Sequence, residues 1–480
     1  MLTKKNNILI CTAVLLWAAI VLAPTAASFA ANNDRNDAPD GAADGFKVIG
    51  YYCGEQFDVP VEKLQAEKLT HVIYGFLIPF ENGSCKPLEE PAEVARLIEK
   101  CHSAGTEVYI SVGGYFDKDG LPLAAVFEKI GADEALRTAF AQNVADAVLQ
   151  YGFDGVELDW EYPSYKTGAD YEKTVTRLSE TLKPLGKGLS TALPGTGSTN
   201  GENVWEALEA VTDETVACFD FINLMCYDLM SDPNHSPIWF SKTSINYWKN
   251  FRNVPAEKLV LGMPLYARPS WNQYRDLVEM DSGNAYLDYL ATTPLESSYN
   301  GLNTLREKTM IAVRETGGVM LFDVNEDTYD DTSVVSMIDD TLAALDGLGK
   351  DEINDYIWII VDNKPVLFAS NDGMGTPFID ENGRTLVPFR KLLESIGAEI
   401  GYNPAEGRNA ARVEASFNGT RIILTIGSNR YSVNGKDLTM DTAAVIKEGR
   451  TYIPVRPALE SFGYSVSYSE AGKSVYATAE

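Results

Sequence analysis

Histidine and cysteine are scarce in this 480-residue sequence, which has three of the first and six of the second. No spacing among the cysteines matches a metal site, and we expect neither a metal ion nor another cofactor. Basic residues are also few, with 40 Lys and Arg against 68 Asp and Glu and a formal net charge of -28. That charge argues against nucleic acid or an anionic membrane as a partner and favours a neutral or cationic substrate. A charge that only keeps an exported protein soluble explains the same composition.

A long apolar run occurs only near the start of the sequence. Lys4 and Lys5 precede an apolar stretch over residues 8–23, and small residues at 28–30 suit a cleavage site. We predict that residues 1–30 are a cleaved signal peptide of a secreted or cell-surface bacterial protein; a retained membrane anchor is the alternative. No later run is long enough to span a bilayer, so no membrane partner is expected after cleavage. Residues 31–45, rich in Asn, Asp, Ala and Gly, predict a flexible lead-in.

Five cysteines remain after such a cleavage, and an odd number in an exported chain leaves at least one free thiol. They are Cys53, Cys85, Cys101, Cys218 and Cys226. Cys53 and Cys85 follow two neighbouring predicted strands and are the first pair to consider for a disulfide bridge. The alternative is that all five thiols are reduced and packed.

Eight strand candidates alternate with helical patterns from residue 46 onward. The candidates are 48–52, 71–76, 107–112, 155–161, 188–193, 219–227, 259–265 and 318–324. The helical pattern at 134–150 has Phe140, Val144 and Val148 at four-residue spacing. Such alternation predicts a parallel sheet, and eight units over residues 46–346 fit a closed α/β barrel of the (β/α)₈ or TIM type. An open doubly wound sheet is the alternative.

The fourth candidate strand carries an unusual alternation. Glu157, Asp159 and Glu161 fall on one face at a period of two, and three large apolar groups fall on the other. The apolar face can be buried, but the acidic face has no ordinary place in a core. Carboxylates at this spacing lie within about 7 Å at their Cα atoms, so repulsion should keep at least one proton bound near neutral pH. A general acid needs such a carboxyl, and we interpret the stretch as a glycoside-hydrolysis site.

Four motifs at strand ends support a family resemblance. They are Asp154-Gly155-Val156-Glu157-Leu158-Asp159-Trp160-Glu161, Ser111-Val112-Gly113-Gly114, Met225-Cys226-Tyr227-Asp228 and Gly262-Met263-Pro264-Leu265-Tyr266. In this order they resemble the family 18 glycoside hydrolases, the chitinases and their relatives. The resemblance implies that Glu161 protonates the glycosidic oxygen and then activates water. It also implies that Asp159 holds the substrate's own acetamido group, whose carbonyl oxygen attacks the anomeric carbon, while Tyr227 donates a hydrogen bond to that group. The substrate implied is a β-1,4 glycan containing N-acetylglucosamine.

The strand ends also supply candidates for substrate binding. These are Glu157, Met225, Asp228, Tyr266, Arg268, Phe322, Tyr52 and Trp271. Trp271 lies just past strand seven and is preferred to Trp205, Trp239 and Trp248, because tryptophans are more often packing residues.

The sequence departs from the family pattern in three ways. The family usually has Asp at the position of Glu157 and Trp at the position of Phe322, where it forms the floor of the cleavage subsite. Phenylalanine offers less area and no indole N–H, so we expect weaker binding or a different sugar preference rather than loss of the reaction. Only about fifty residues separate Arg268 from Gly317, too few for the α+β module that many members carry there. We therefore expect a shallow, open cleft that favours internal cuts.

The remaining sequence contains an internal repeat. Gly383-Arg384-Thr385-Leu386-Val387-Pro388-Phe389-Arg390 recurs 66 residues later as Gly449-Arg450-Thr451-Tyr452-Ile453-Pro454-Val455-Arg456. Short helices are predicted after each copy, at 392–396 and 459–462. Following a linker at 347–354, residues 355–480 resemble the copper amine oxidase N-terminal (stalk) domain, a smaller α+β domain of two similar halves. Without histidine or cysteine this region is not expected to bind copper, and we predict a spacer or docking module, with weak cell-wall or polysaccharide binding as the alternative.

The leading hypothesis is an exported, retaining, endo-acting hydrolase of chitin-like or peptidoglycan-like polysaccharide, since both supply the acetamido group. A non-catalytic sugar-binding protein on the same barrel is the rival. Lectins of the family generally lose the acid that is present here as Glu161. A purely structural surface protein would not need the row of carboxylates.

Overall fold

The computed structural model describes residues 45–54, 59–116, 120–368, 373–406 and 410–480. The predicted signal peptide, 1–30, and nearly all of the predicted lead-in, 31–45, lie outside these residues. Within the described ranges, no helix combines the length and the apolar composition that crossing a membrane requires.

Eight parallel strands form a closed barrel in the first two thirds of the chain. They pair in sequence order, and the last of them closes the ring on the first. The barrel strands are β1 (Lys47–Tyr52), β2 (His71–Leu77), β3 (Glu107–Gly114), β4 (Gly155–Trp160), β5 (Gly188–Pro194), β6 (Phe221–Met225), β7 (Leu259–Pro264) and β11 (Gly318–Phe322). Three two-residue strands between β7 and β11 form a small separate sheet: β8 (Arg268–Pro269), β9 (Tyr289–Leu290) and β10 (Ser297–Ser298). The prediction of a TIM barrel is confirmed, and the open doubly wound sheet is wrong.

Helices surround the barrel. They are α1 (Pro91–Ala104), α2 (Leu123–Ala132), α3 (Glu134–Tyr151), α4 (Gly168–Leu182), α5 (Glu206–Glu209), α6 (Asp213–Cys218), α7 (Ile238–Asn246), α8 (Tyr274–Met280), α9 (Leu302–Glu315), α10 (Val334–Leu345) and α11 (Lys350–Asp355). The helix predicted at 134–150 is confirmed as α3. It begins where the Asp133 carboxylate accepts two backbone N–H bonds, and it buries Phe140, Val144 and Val148. The predicted linker, 347–354, contains most of α11.

All eight predicted strands overlap strands of the barrel. The sixth prediction, 219–227, is too long at both ends, since β6 covers only Phe221–Met225. Phe219 directly follows α6, and the Cys226 N–H donates a hydrogen bond to the Leu224 carbonyl at 2.8 Å. The chain therefore leaves the strand direction just before Tyr227, which places that side chain at the rim.

Side chains alternate between the barrel interior and the surrounding helices. The interior is apolar at its lower end, where seven side chains from six strands form one cluster: Ile49, Tyr51, Ile73, Tyr109, Phe221, Val260 and Met320. Residues on the opposite strand faces join the main core beneath the helices. Towards the C-terminal ends of the strands, the interior positions become polar.

The predicted bridge between Cys53 and Cys85 is wrong, because all five cysteines of the described residues are free. Cys53 directs its thiol towards the Asp323 carboxyl group at the end of β11. Cys85 lies instead in a turn after β2, opposite Pro79. The alternative of five reduced thiols describes the structure.

The C-terminal region is rich in short strands. They are β12 (Trp358–Val361), β13 (Lys364–Pro365), β14 (Phe378–Ile379), β15 (Thr385–Pro388), β16 (Glu399–Asn403), β17 (Arg412–Phe417), β18 (Thr420–Thr425), β19 (Arg430–Val433), β20 (Lys436–Thr439), β21 (Val445–Lys447), β22 (Arg450–Pro454), β23 (Tyr464–Ser469) and β24 (Ser474–Ala479). The repeated motifs form β15 and β22, which pair antiparallel with each other. In a second sheet, β12 pairs in parallel with β24.

Two helices follow the repeated strands, α12 (Phe389–Ser395) and α13 (Val455–Glu460). They begin three and four residues before the predicted positions, directly after Pro388 and Pro454. Proline suits a helix start because its missing N–H is not needed there.

The C-terminal strands pack against α9. An apolar cluster joins the two regions and contains Met310, Leu345, Leu348, Ile353, Trp358 and Ile360. The Glu307 carboxylate accepts hydrogen bonds from the Tyr476 hydroxyl (2.6 Å) and the Ser469 hydroxyl (2.7 Å). Arg314 donates to backbone carbonyls of Ile353 and Tyr356. Helix α9 thus lies between the barrel wall and the C-terminal strands.

Candidate active site

The row of carboxylates lies on the interior face of β4. Glu157 and Asp159 point into the barrel, and Glu161 follows the last residue of the strand at the rim. The opposite face packs outward, where Trp160 stacks on Phe127 of α2 at 5.1 Å between ring centroids. The period-two pattern of the sequence therefore separates a polar interior from a packed exterior.

Glu157 is fully buried and hydrogen-bonded. The Ser190 hydroxyl of β5 donates to it at 3.1 Å, and the Asn223 side-chain amide of β6 is a second donor. Burial raises the pKa of Glu157 to about 8, although these two hydrogen bonds lower it. Glu157 therefore keeps its proton at neutral pH, and its other oxygen has no partner among the described residues.

Asp159 and Glu161 interact electrostatically at the top of the row. Burial raises the pKa of Asp159, and the charges of Glu161 and Glu157 raise it further. Burial also raises the pKa of Glu161, to about 7, against a hydrogen bond from Tyr162. The three carboxyl groups cannot all be ionised at neutral pH, so protons are shared along the row. This is the electrostatic condition that a general acid needs.

The glycine pair after Ser111 permits β3 to lie close to this row. Gly113 has a φ of +124°, and a Cβ there would lie 2.1 Å from the backbone carbonyl oxygen of Asp159. Any side chain would collide with the β4 backbone, so only glycine fits. The Ser111 hydroxyl is buried without a partner among the described residues.

Tyr227 lies at the end of β6, beside Phe322 of β11. Their rings are 6.0 Å apart and nearly parallel, and Tyr51 meets Phe322 edge-on at 5.2 Å. Gly262 provides the space, because a Cβ there would lie 3.1 Å from the Tyr227 ring and 2.3 Å from the Leu224 carbonyl oxygen. Together the rings form an aromatic floor beside the carboxylates.

The hydroxyl group of Tyr227 stays protonated and can donate a hydrogen bond. Burial raises its pKa well above the ordinary value, and the negative charges of Asp159 and Glu161 act in the same direction. These interactions place Tyr227 in electrostatic range of both carboxylates.

Asp228, Arg268, Tyr266 and Trp271 form a second group at the rim. The guanidinium of Arg268 binds both oxygens of Asp228 at 2.7 Å. Burial alone would raise the pKa of Asp228, but hydrogen bonds from His235 and Arg268 outweigh it and hold that pKa below its ordinary value. The Trp271 ring stacks on Tyr266 at 5.5 Å, and Arg268 lies 3.2 Å from its centroid. Trp271 is 60% exposed with a φ of +61°, so an exposed ring is held in a backbone conformation that side chains rarely adopt.

Met225 and Phe322 lie at the interior ends of their strands and are half-buried. Met225 follows Asn223 at a period of two, on the same face as Glu157 across the barrel. Phe322 contacts Tyr227, and a role of either residue in substrate binding stays a prediction.

Tyr52 does not face the barrel interior, and its prediction as a substrate-binding residue is wrong. Its hydroxyl donates to the Val59 carbonyl (2.9 Å) and lies 3.2 Å from Glu93 of α1, outside the barrel wall. The interior residue is Tyr51, whose hydroxyl is buried without a partner among the described residues. The prediction chose the wrong face of β1.

Sequence reasoning missed a row of four aromatic rings beside Glu161, of which three are exposed and Tyr162 is half-buried. Tyr162 contacts Trp205 at 4.7 Å on one side and Tyr115 at 6.2 Å on the other, and Tyr115 contacts Phe116 at 4.5 Å. We call Phe116, Tyr115, Tyr162 and Trp205 the aromatic row. Trp205 is 51% exposed, whereas Trp248, another tryptophan considered for sugar binding, is buried in the core.

Asn223 was also missed, although a polar residue two positions before Met225 in an apolar strand was a usable signal.

A separate cavity of about 1330 Å³ lies between α10 and the C-terminal strands, and none of the predicted site residues lines it. The predicted catalytic residues therefore lie outside this cavity.

Comparisons with known proteins identify the families that the two regions resemble. Residues 47–327 match the model for glycosyl hydrolases family 18, and residues 360–477 match the model for the copper amine oxidase N-terminal domain. Chitinase B of Serratia marcescens is 29% identical over 259 residues, which are 42% of this chain and 51% of that protein. The chain thus spans about half the length of this relative.

Solved structures share the fold. The GH18 chitinase ChiB from the chitin utilization locus of Flavobacterium johnsoniae has 26% identity and a TM-score of 0.54, covering 64% of this chain and 97% of that one. The chitinase-like agglutinin of Robinia pseudoacacia has 18% identity and a TM-score of 0.52, covering 61% and 98%. Both resemblances predicted from the sequence are confirmed. Because the family match spans more than half of the residues and coincides with the barrel, the chain belongs to glycosyl hydrolase family 18.

Proposed function

We propose that this protein hydrolyses β-1,4 bonds of glycans that contain N-acetylglucosamine, with chitin as the substrate class, by substrate-assisted retaining catalysis. The observation that carries the proposal is the interior row of three carboxyl groups, with Glu161 half-buried at its outer end. Burial gives that group a raised pKa, so it holds a proton where a glycosidic oxygen can reach it.

Glu161 donates its proton to the glycosidic oxygen as the bond to the anomeric carbon breaks. The carbonyl oxygen of the substrate's acetamido group attacks that carbon from the other side and forms a cyclic intermediate. Asp159 accepts a hydrogen bond from the acetamido N–H, and the Tyr227 hydroxyl donates one to the carbonyl oxygen. Glu161 then takes a proton from water, which opens the intermediate with retention of configuration. The attack is intramolecular and needs little additional ordering.

Glu157 supports Asp159 from below. Because Glu157 is protonated at neutral pH, it can share that proton with Asp159 as positive charge develops on the substrate. Ser190 and Asn223 fix its orientation. This gives glutamate a role at the position where the family usually has aspartate.

The rings and the ion pair at the rim supply the sugar contacts. Phe322 is the floor of the cleavage subsite, and its smaller area predicts weaker binding or altered sugar preference. Asp228, Arg268 and Tyr266 offer hydrogen bonds to sugar hydroxyls, and Trp271 offers a stacking face.

An open cleft and export are further parts of the proposal. Between β7 and β11 the chain forms α8, α9 and a sheet of two-residue strands, an arrangement that supports internal cuts. The apolar start of the sequence supports export, which N-terminal sequencing of protein from culture medium tests.

The decisive experiment incubates the full chain with chitin hexamer and, separately, with peptidoglycan, and identifies the fragments by mass spectrometry. Chitin hexamer is expected to yield internal fragments with β-anomeric reducing ends in proton NMR spectra. Glu161→Gln is expected to abolish turnover while retaining sugar binding.

Glu107→Gln, the same change at the opposite end of the barrel on β3, is the matched control and should leave turnover unchanged. Normal turnover by Glu161→Gln would refute the catalytic assignment. If peptidoglycan is cleaved and chitin hexamer is not, the proposed substrate class is wrong and peptidoglycan replaces chitin. Binding without any cleavage would show a sugar-binding protein.

A further inference from the structure

Helix α9 is buried at eight consecutive positions, 305–312. A helix on the outside of a barrel ordinarily exposes one polar face to water. Here the C-terminal strands cover that face, so Glu307 and Met310 contact them while Lys308 points towards the barrel. The helix therefore has two packed sides with separate partners.

Lys308 is fully buried, and its ammonium group makes three hydrogen bonds. It donates to the backbone carbonyl of Ser236 (2.6 Å), the Ser236 hydroxyl (2.7 Å) and the side-chain oxygen of Asn300 (2.7 Å). All three donors of the ammonium are thus used, and two of them reach the same residue.

Ser236 connects this ammonium to the rim of the barrel. Its hydroxyl donates to the Cys226 carbonyl at 2.6 Å, directly before Tyr227 in the chain. The adjacent His235 lies 3.4 Å from Asp228 through Nδ1 and donates through Nε2 to the Tyr266 carbonyl at 3.2 Å. We call residues 226–236 the β6 loop. The hydrogen bond from Ser236 to Cys226 joins its last residue to its first.

The β6 loop has a backbone conformation that needs support. Asp228 has a φ of +59°, in the left-handed region that only a few side chains tolerate. Such a conformation persists where surrounding contacts determine it. The Lys308 hydrogen bonds supply contacts of that kind at the base of the loop.

We propose that Lys308 is a positioning residue for the reaction, which holds the β6 loop so that Tyr227 and Asp228 face the carboxylates. This inference rests on the proposed function for its kinetic part and on the structure alone for its anchoring part. Lys308 touches neither substrate nor reacting atoms and acts through Ser236.

The energetics favour a specific role over simple packing. Burial lowers the pKa of Lys308 to about 7, although the Cys226 thiol and the Asp288 carboxylate raise it. A buried ammonium is costly, and an apolar side chain of similar volume would fill the same space without that cost. The ammonium supplies what methionine cannot, which is a fixed position for two oxygens of Ser236.

The test compares Lys308→Met, Ser236→Ala, their double variant and Met310→Ala in the full chain. Met310 lies two positions away on the side of α9 that faces the C-terminal strands, so Met310→Ala reports destabilisation without loss of the anchor. Rates on chitin hexamer are normalised to the folded fraction measured by circular dichroism. Amide hydrogen exchange over 226–237 provides a readout independent of activity.

Lys308→Met is expected to lower kcat at least about tenfold with KM changed less than about threefold, because Tyr227 acts mainly on the transition state. Ser236→Ala should act in the same direction, and the double variant should fall less than about threefold below the more affected single variant, since both break one connection. Exchange in the β6 loop should accelerate about tenfold in Lys308→Met and remain unchanged in Met310→Ala.

Unchanged exchange in the β6 loop of Lys308→Met would overturn the proposal, as would equal kinetic effects of Lys308→Met and Met310→Ala. If Lys308→Met does not fold, Ser236→Ala decides by the same two readouts. A wild-type chain that cleaves no glycan refutes the proposed function, whereas the exchange measurement still decides whether Lys308 anchors the loop.

Discussion

Removal of residues 350–480 is expected to destabilise the barrel. A spacer domain would leave the barrel intact, but here the deletion takes away Ile353, Trp358 and Ile360 and uncovers the apolar side chains that they contact. The uncovered side chains are Met310, Leu345 and Leu348, all buried in the full chain.

The magnitude follows from the area that returns to water. Each such side chain contributes about 1.5 to 3 kcal/mol when fully buried, so the three together contribute about 5 to 9 kcal/mol. Arg306 and Glu307 regain water and offset part of this loss. Domains are stable by only about 5 to 15 kcal/mol, so the shortened barrel should be marginal. At about 2 to 4 °C per kcal/mol, even half of the loss lowers the unfolding temperature by roughly 5 to 15 °C.

The assay is thermal unfolding of both proteins by circular dichroism and calorimetry. The full chain should unfold with the barrel and the C-terminal strands coupled, and the shortened chain should unfold at the lower temperature. A shortened barrel that melts within about 3 °C of the full chain would refute this reasoning, because it would show that the cluster on α9 adds no stability.

The other predictions concern the site. Turnover of chitin hexamer is expected to fall as the pH rises past about 7, because the raised pKa of Glu161 leaves it protonated below that pH and ionised above it; a pH–rate profile that stays flat to about pH 9 would contradict this. Phe322→Trp is expected to tighten oligosaccharide binding about threefold in calorimetry, since indole adds stacking area; unchanged or weaker binding would remove Phe322 from the subsite floor. Trp205→Ala is expected to weaken hexamer binding about tenfold and trisaccharide binding less than twofold, because Trp205 lies at one end of the aromatic row, beyond Tyr162. Trp239→Ala is its control, and equal losses from both would refute the assignment.

The sequence was sufficient for the fold because its barrel strands are separated by clear helical patterns and each predicted strand overlaps a real one. It was also sufficient to place Glu157, Asp159 and Glu161 on one face, since carboxylates alternating with large apolar groups leave only one way to bury the strand. The bounds of strands were less certain, as β6 shows.

The face of β1 on which the Tyr52 side chain lies could not be predicted in the same way. Apart from Gly50, strand β1 is apolar or aromatic at every position after Lys47. A strand buried on both sides has no alternation to fix its phase. A choice between Tyr51 and Tyr52 therefore required the positions of the neighbouring strands relative to β1, which the sequence alone does not give.

The environment of Lys308 was inaccessible for another reason. A lysine in the middle of a helix is ordinarily exposed. Its burial depends on Ser236 and Asn300, which lie in loops outside α9 and hydrogen-bond to its ammonium group. The aromatic row was missed similarly, because its rings come from loops after three different strands.

The parallel pairing of β12 with β24 constrains how early the C-terminal region can fold during synthesis. All four residues of β12 are apolar and buried, yet β24 leaves the ribosome only after more than a hundred further residues. At about 5 to 20 residues per second, that delay is on the order of 10 s. During this interval the nascent β12 can pair only with β13, and its other apolar edge is a natural binding site for chaperones.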